Sequence, residues 1–301
     1  MRTLFVSLSA VVLFVLLTCS AKAWEETPNL RVNYLAYPVA WNGRTITIGA
    51  RYQVPLNVKG PLPAVIILHG TSGVSYRGVY YAAALNRVGI ATLEIDQWGG
   101  RDLPGEASSR PQSVDANLPD IAGAYRLLKS RPEVDASRIG IMGSSMGGGE
   151  TMLMMTRQHS DALLGEGAHL QAAVALYPIC WRFNHVPGAD FGKLVDAPIR
   201  IFVGTSDDYD SGAASCDDLV HSLSPADAAH LSVRAFPDAT HEYDVFDGER
   251  EFNDPRANRR HGGVVHVRPD PQAREQTRDD LVQFFAHALG QSQATQEVPP
   301  K

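Results

Sequence analysis

Gly143-Ser144-Ser145-Met146-Gly147 has the G-x-S-x-G spacing that lets a serine act as a nucleophile. A sharp strand-to-helix turn projects the central hydroxyl from a sheet edge, and flanking glycines remove Cβ atoms that such a turn cannot hold. The register puts Ser145 at the apex, ahead of its competitor Ser144. A serine hydroxyl needs a base, and the base needs an orienting acid. On an elbow of this type the chain order is Ser, acid, His, each after a later strand. Gly204-Thr205-Ser206-Asp207 and Pro237-Asp238-Ala239-Thr240-His241 occupy such places. Asp207 is therefore the candidate acid and His241 the candidate base. Asp208 and Asp210 compete with Asp207, and this acidic loop also reads as a solvated loop or a weak cation site. His69-Gly70-Thr71 follows an earlier apolar run. There the Thr71 amide, favoured over Ser72 and Gly73, is expected to join that of Met146 as an oxyanion hole. His69 itself reads as structural.

These residues need strands to carry them. Apolar runs at 64–68, 90–95, 138–142, 172–176, 199–203 and 231–236 read as buried strands. Helical patterns at 79–86, 118–130, 148–156 and 272–289 separate them or close the chain. That alternation predicts an α/β domain, a mostly parallel sheet with helices on both faces. Serine, acid and histidine then lie at the carboxyl ends of strands, where open α/β sheets place ligands. Residues 31–55, with Asn42-Gly43 inside them, read as one or two antiparallel edge strands. The remaining histidines show no metal-ligand spacing, so neither metal nor cofactor is expected. His261 and His266 fall in an Arg-rich stretch that reads as surface.

With 44% hydrophobic and 20% charged residues among 301, the chain is expected to fold around a sizeable core rather than remain disordered. A net charge of -6 makes it a poor partner for nucleic acid. Residues 4–17 are almost wholly apolar, and Ala21-Lys22-Ala23 has the small-x-small form of a signal-peptidase site. The expected organisation is a signal peptide over 1–23, one domain over 24–290 and a polar tail over 291–301. No stable membrane insertion is expected after cleavage, because the apolar run is short for a bilayer span. Cys19 after Thr18 raises lipoprotein processing as a rival, with Thr18 bulky for that role. Cys180 and Cys216 remain in an exported chain, either paired or as two buried thiols.

Taken together, the sequence resembles the α/β-hydrolase superfamily and, within it, the dienelactone hydrolase-like group, over about residues 42–289. The markers are His69-Gly70, the run 96–101, Arg138-Ile139-Gly140 before the elbow, Tyr177-Pro178, the run 204–208 and Phe236-Pro237 before His241. Tyr243-Asp244 and the run Arg268-Pro269-Asp270-Pro271-Gln272-Ala273 belong to the same set. The resemblance implies an eight-stranded sheet whose second strand is antiparallel, and cofactor-free hydrolysis through an acyl-enzyme. It assigns Ser145 as nucleophile, His241 as base then acid, and Asp207 as orienter. The name-giving enzymes carry cysteine at the elbow, so the serine here argues against assuming their substrate. Adjacent sixth and seventh strands would bring Cys180 and Cys216 to the pocket rim, favouring a disulfide.

The expected substrate is a small-molecule ester. Trp98, Trp181, Phe183 and Tyr209 follow strand ends and are expected to line an aromatic pocket suited to apolar or aromatic esters. Routine loop packing is the plain alternative for these rings. An amide or peptide hydrolase on the same triad is the near rival, and an inactive exported binding protein on this scaffold the distant one. Oligomeric state is not legible. N-terminal sequencing of protein recovered outside the cytoplasm should read Trp24 as the first residue; retention of Met1 in that fraction would refute the processing site.

Overall fold

A computed structural model describes residues 29–56, 58–111, 113, 115–210 and 212–290. The expected signal peptide, its cleavage site, Cys19 and the tail 291–301 lie outside the described residues.

The chain opens with strands β1 (Leu30–Trp41) and β2 (Arg44–Pro55), paired antiparallel with Trp41 opposite Arg44. Asn42 and Gly43 form the two-residue turn between them with φ of 48° and 74°, the positive pair that a tight hairpin requires. The buried strands follow as β3 (Leu62–Leu68), β4 (Ala91–Asp96), β5 (Val134–Ser144), β6 (Ala173–Leu176), β7 (Ile199–Gly204) and β8 (Leu231–Phe236). Their order is β1-β2-β4-β3-β5-β6-β7-β8. β2 is antiparallel to both neighbours and the pairs from β4 through β8 are parallel. The architecture is that of the α/β-hydrolase superfamily.

Side-chain alternation along β3 decides which layer each residue joins. Val65 and Ile67 face a core formed with Tyr81 and Leu85 of α1 (Tyr76–Arg87) and Leu281 and Phe285 of the terminal helix Pro271–Ala288. Ala64, Ile66 and Leu68 face the opposite core, with Leu118 and Ile121 of α2 (Leu118–Lys129) and Met152 of α3 (Met146–Leu153). Burying a leucine or isoleucine side chain contributes about 1.5–3 kcal/mol, so the two faces together anchor the sheet. The Asp270-Pro271 pair starts the terminal helix by a recognisable device. The Asp270 side chain accepts from the Ala273 amide at 2.9 Å, and Pro271 takes the first helical position.

A second, two-stranded sheet lies outside the main one. β9 (Arg250–Asp254) and β10 (Gly263–Val267) pair antiparallel across the Arg-rich stretch. His261 and His266 are exposed, as the sequence implies. Val265 and Val267 are nevertheless buried, in a small core with Tyr209 and Val245. The hairpin therefore sits on the loop that carries Asp207.

Cys180 and Cys216 form a disulfide. It ties the short 3-10 turn Cys180–Arg182, after β6, to the helix Ala214–Ser222, after β7. Closing a separation of 36 residues stabilises by about 4 kcal/mol on the chain-entropy account. Replacing both cysteines by alanine should lower unfolding free energy by roughly that amount in urea titration. A loss below about 1 kcal/mol would show that the crosslink constrains little.

Candidate active site

β5 passes into α3 with Ser145 as the single residue between them, at φ 52° and ψ -109°. Such a conformation is costly for a residue with a Cβ and persists only where neighbours over-determine it. The Ser145 amide is held by the Leu176 carbonyl at 2.9 Å. Glycines clear the space around it. A Cβ on Gly143 would lie 2.3 Å from Gly147 backbone, and one on Gly147 would lie 2.6 Å from the His69 carbonyl oxygen. The sequence reading of both glycines thus has a steric cause. Ser144 ends β5 and Ser145 occupies the apex.

The acid and histidine loops are laced together behind it. A Cβ on Gly204 would lie 2.1 Å from the Ala239 carbonyl oxygen, so a bare Cα is what lets the two loops touch. The Thr205 amide donates to the Phe236 carbonyl at 3.0 Å and the Ser206 amide to that of Ala239 at 2.9 Å. From this clasp Asp207 Oδ2 sits 2.7 Å from His241 Nδ1, and His241 Nε2 sits 2.9 Å from Ser145 Oγ. All three residues are buried, with Ser145 retaining 8% exposure at the cavity floor. Asp207 Oδ1 accepts from the Tyr209 amide at 2.9 Å. Asp208 turns away to His266, and Asp210 accepts from the Trp181 amide at 2.9 Å. Burial first, and then the nearby Asp207 charge, raise the Asp210 carboxyl to about 6.

Burial alone would lower the His241 pKa, but the charge and hydrogen bond of Asp207 raise it above the ordinary value of 6.5. The rings of Tyr177 and Tyr209 pack on the imidazole with centroids 4.8 and 4.5 Å away. Tyr177 belongs to a buried network. Its hydroxyl donates to Asp244 at 2.7 Å, as that of Tyr81 does at 2.8 Å, and Arg77 pairs with Glu242 at 3.4 Å. Tyr243-Asp244, noticed in the sequence for its resemblance alone, therefore fixes the ring beneath His241.

His69 has a structural bonding pattern. Nδ1 lies 2.7 Å from the Gly70 carbonyl and Nε2 accepts from the Gln97 amide at 3.0 Å, while burial lowers its pKa. The amides of Thr71 and Met146 border the same cavity as Ser145. Neither donates to a protein acceptor among the described residues. Arg110 holds this edge in place. It donates from Nε to Thr71 Oγ1 at 3.2 Å and from Nη2 to the Tyr209 hydroxyl at 3.3 Å, and it pairs with Asp254. Burial would raise the Asp254 carboxyl, but hydrogen bonds from Arg110 and Tyr209 hold it at about 2.

The cleft, together with the open solvent at its mouth, spans about 690 Å³. Trp181 and Tyr209 line it; Trp98 and Phe183 do not. Asp96 Oδ1 accepts from the Trp98 amide and turns the chain inward, so the indole lies under the loop with Nε1 donating to the Thr71 carbonyl at 3.0 Å. Phe183 packs on Phe191 in the core. The expected aromatic pocket is therefore corrected. Five arginines also line the cleft: Arg110, Arg182, Arg256, Arg259 and Arg260. The sequence signal for three of them was the basic run 256–260, which read as surface because nothing local shows that a hairpin folds it inward.

A model of the dienelactone hydrolase family matches residues 48–289. The chain belongs to the dienelactone hydrolase family. An uncharacterized protein of Mycobacterium tuberculosis is 27% identical over 166 residues, 52% of this chain and 57% of that one. The Bacillus subtilis protein YtaP, named as a hydrolase, is 29% identical over 121 residues, 33% of this chain and 40% of its own. The chain thus spans little more than half the length of these curated relatives at most. Among solved structures, the dienelactone hydrolase-like promiscuous phosphotriesterase P91 from metagenomic libraries has a TM-score of 0.59 at 19% identity, covering 86% of this chain and 98% of that one. Est1E of Butyrivibrio proteoclasticus has a TM-score of 0.54 at 18% identity, covering 85% and 99%.

The His241 imidazole should titrate above 6.5 in nuclear magnetic resonance spectra, with its charged form favoured by Asp207. In Asp207→Asn burial acts without that charge, so the midpoint should fall below 6.5. An unchanged midpoint would disprove the coupling. The sign also sets stability: the charged pair stabilises the fold below the ordinary imidazole pKa, and that contribution is lost as pH rises through the raised one.

Proposed function

We propose that this family member is an exported serine esterase that cleaves carboxylic esters through an acyl-enzyme intermediate. The observation that carries the reading is the continuous hydrogen-bonded line from Ser145 through His241 to Asp207, opening on the cleft. His241 Nε2 takes the Ser145 proton as Oγ attacks the ester carbonyl, and Asp207 holds the imidazole in the tautomer with its proton on Nδ1. The tetrahedral oxyanion accepts hydrogen bonds from the Thr71 and Met146 amides, whose orientation costs nothing at the moment of reaction. His241 then gives its proton to the leaving alcohol. Water, deprotonated by the same imidazole, releases the acid from Ser145. A buried disulfide fits an oxidising compartment after export. The intact line of three residues argues against an inactive binding scaffold.

A fluorophosphonate probe should label the protein at Ser145, and Ser145→Ala should lose about 10⁴-fold or more in kcat on p-nitrophenyl esters while keeping its circular dichroism spectrum. Activity near that of the wild type in this variant would overturn the assignment. Matched p-nitroanilides should be cleaved far more slowly than the esters; the reverse order would make the protein an amidase.

A further inference from the structure

The cleft beside Ser145 gathers five arginines. Arg110 is paired with Asp254. Among the described residues, Arg182, Arg256, Arg259 and Arg260 form no ion pair with a carboxylate. Arg256 donates to the Pro111 carbonyl at 3.3 Å and Arg259 to the Ser215 hydroxyl at 3.2 Å, both neutral acceptors. Glu150 and Asp210 act on Arg182, and Asp254 on Arg256, without forming ion pairs with them. Guanidinium groups gathered in a concave site repel one another and lose hydration, so the arrangement is costly until an anion enters.

Two features show that the fold is built to keep them there. The Arg182 guanidinium lies against the first turn of α3, where a Cβ on Gly149 would be 2.2 Å from Nη1. Gly149 is thus a cradle for that side chain, four residues after Ser145. On the opposite strand of sequence, Asn258, Arg259 and Arg260 have successive φ values of 47°, 53° and 68°. Left-handed backbone costs about 1–2 kcal/mol per residue that is not glycine. Three in a row are held by bonds to the acid loop: the Asn258 amide to the Asp208 carbonyl at 2.8 Å, and the Arg259 amide to the Tyr209 carbonyl at 3.1 Å. The result of that strain is to bring Arg259 and Arg260 to the cleft. Crowding has its expected electrostatic effect. Burial first and then Arg256 depress Arg182 to about 10, and burial with Arg110 and Arg260 lowers Arg256.

We propose that the wall formed by Arg182, Arg256, Arg259 and Arg260 binds a doubly charged tetrahedral oxyanion, a phosphate, phosphonate or sulfate group carried by the ester substrate. A monocarboxylate has two oxygens and one charge for four unpaired guanidinium groups. A phosphate-type group offers three oxygens and up to two charges, which suits several forked donors at once. Trp181 and Tyr209 on the same cleft leave room for an apolar body between the charged end and the scissile carbonyl. The substrate class rests on the esterase reading for what is done to the ligand, but not for its binding.

The experiment therefore separates the two. Ser145→Ala protein is titrated calorimetrically with phenylphosphonate and with benzoate at low salt. Phenylphosphonate should bind at least tenfold more tightly, and the preference should shrink as sodium chloride rises. Adding Arg256→Gln, at a half-buried position, and Arg260→Gln, at an exposed one, should remove most of it with the circular dichroism spectrum retained; Arg182→Gln is the second variant. In the enzyme with Ser145, p-nitrophenyl 4-phosphonobutyrate should exceed p-nitrophenyl butyrate in kcat/KM, and the glutamine variants should reduce the first at least tenfold more than the second. Equal binding of the two anions, or a preference that survives both sets of variants, overturns the proposal. Phosphonate binding as expected with no labelling of Ser145 would leave the anion wall standing and defeat the esterase reading instead.

Discussion

The whole site depends on one steric constraint: β5 becomes α3 across a single residue. Nothing longer would leave a hydroxyl standing on the sheet edge with a helix start directly behind it. The constraint forces Ser145 into a costly backbone conformation and dictates what surrounds it. Gly143 and Gly147 are bare because backbone occupies the places of their Cβ atoms, and Gly70 passes close to the Ser144 carbonyl for the same reason. On the proposed mechanism the strain also has a chemical use, since Met146, whose amide is the proposed oxyanion donor, follows Ser145 directly in the chain.

The second dependence is electrostatic. His241 is buried, and burial opposes the charged imidazole that proton transfer creates. Asp207 reverses the balance, and its other oxygen is held by the Tyr209 amide so that the carboxylate keeps one orientation. Tyr209 then links the acid to the rest of the rim, since its hydroxyl donates to Asp254 at 2.6 Å and Asp254 pairs with Arg110. Arg110 in turn reaches Thr71. Acid loop, outer hairpin and the Thr71 loop are thus joined through one carboxylate, whose depressed pKa reflects how many donors it serves.

What could be read from the sequence follows from how local the physics is. The elbow, the succession of strands and helices along the chain and the positions of Asp207 and His241 were legible because turn glycines, apolar runs and chain order are properties of short segments. The terminal helix was legible for the same reason, its cap and first proline being adjacent. Trp98 was misplaced because following a strand end does not fix a ring's direction; here Asp96 and the Thr71 carbonyl turn it under the loop. The basic run 256–260 was misread because its role depends on two distant contacts, to the backbone of Asp208 and Tyr209. No window of sequence contains both partners.

The arginine wall also changes how the chain's acidity should be understood. A net charge of -6 says little about a cleft, since the field a ligand meets is set by the groups within about a Debye length, roughly 10 Å at moderate salt. Acidic residues elsewhere oppose long contact with polyanionic surfaces. A small anionic ester is different, because it can enter a concavity whose low-dielectric walls strengthen the attraction. On the proposed mechanism the same positive wall bears on the reaction itself. The tetrahedral intermediate would be an anion at Ser145, and guanidinium groups that share its cleft would favour it over the neutral ester, whichever part of the substrate they bind. Binding and chemistry would then be served by one charge arrangement, a physical reason for the fold to sustain three left-handed residues at its rim.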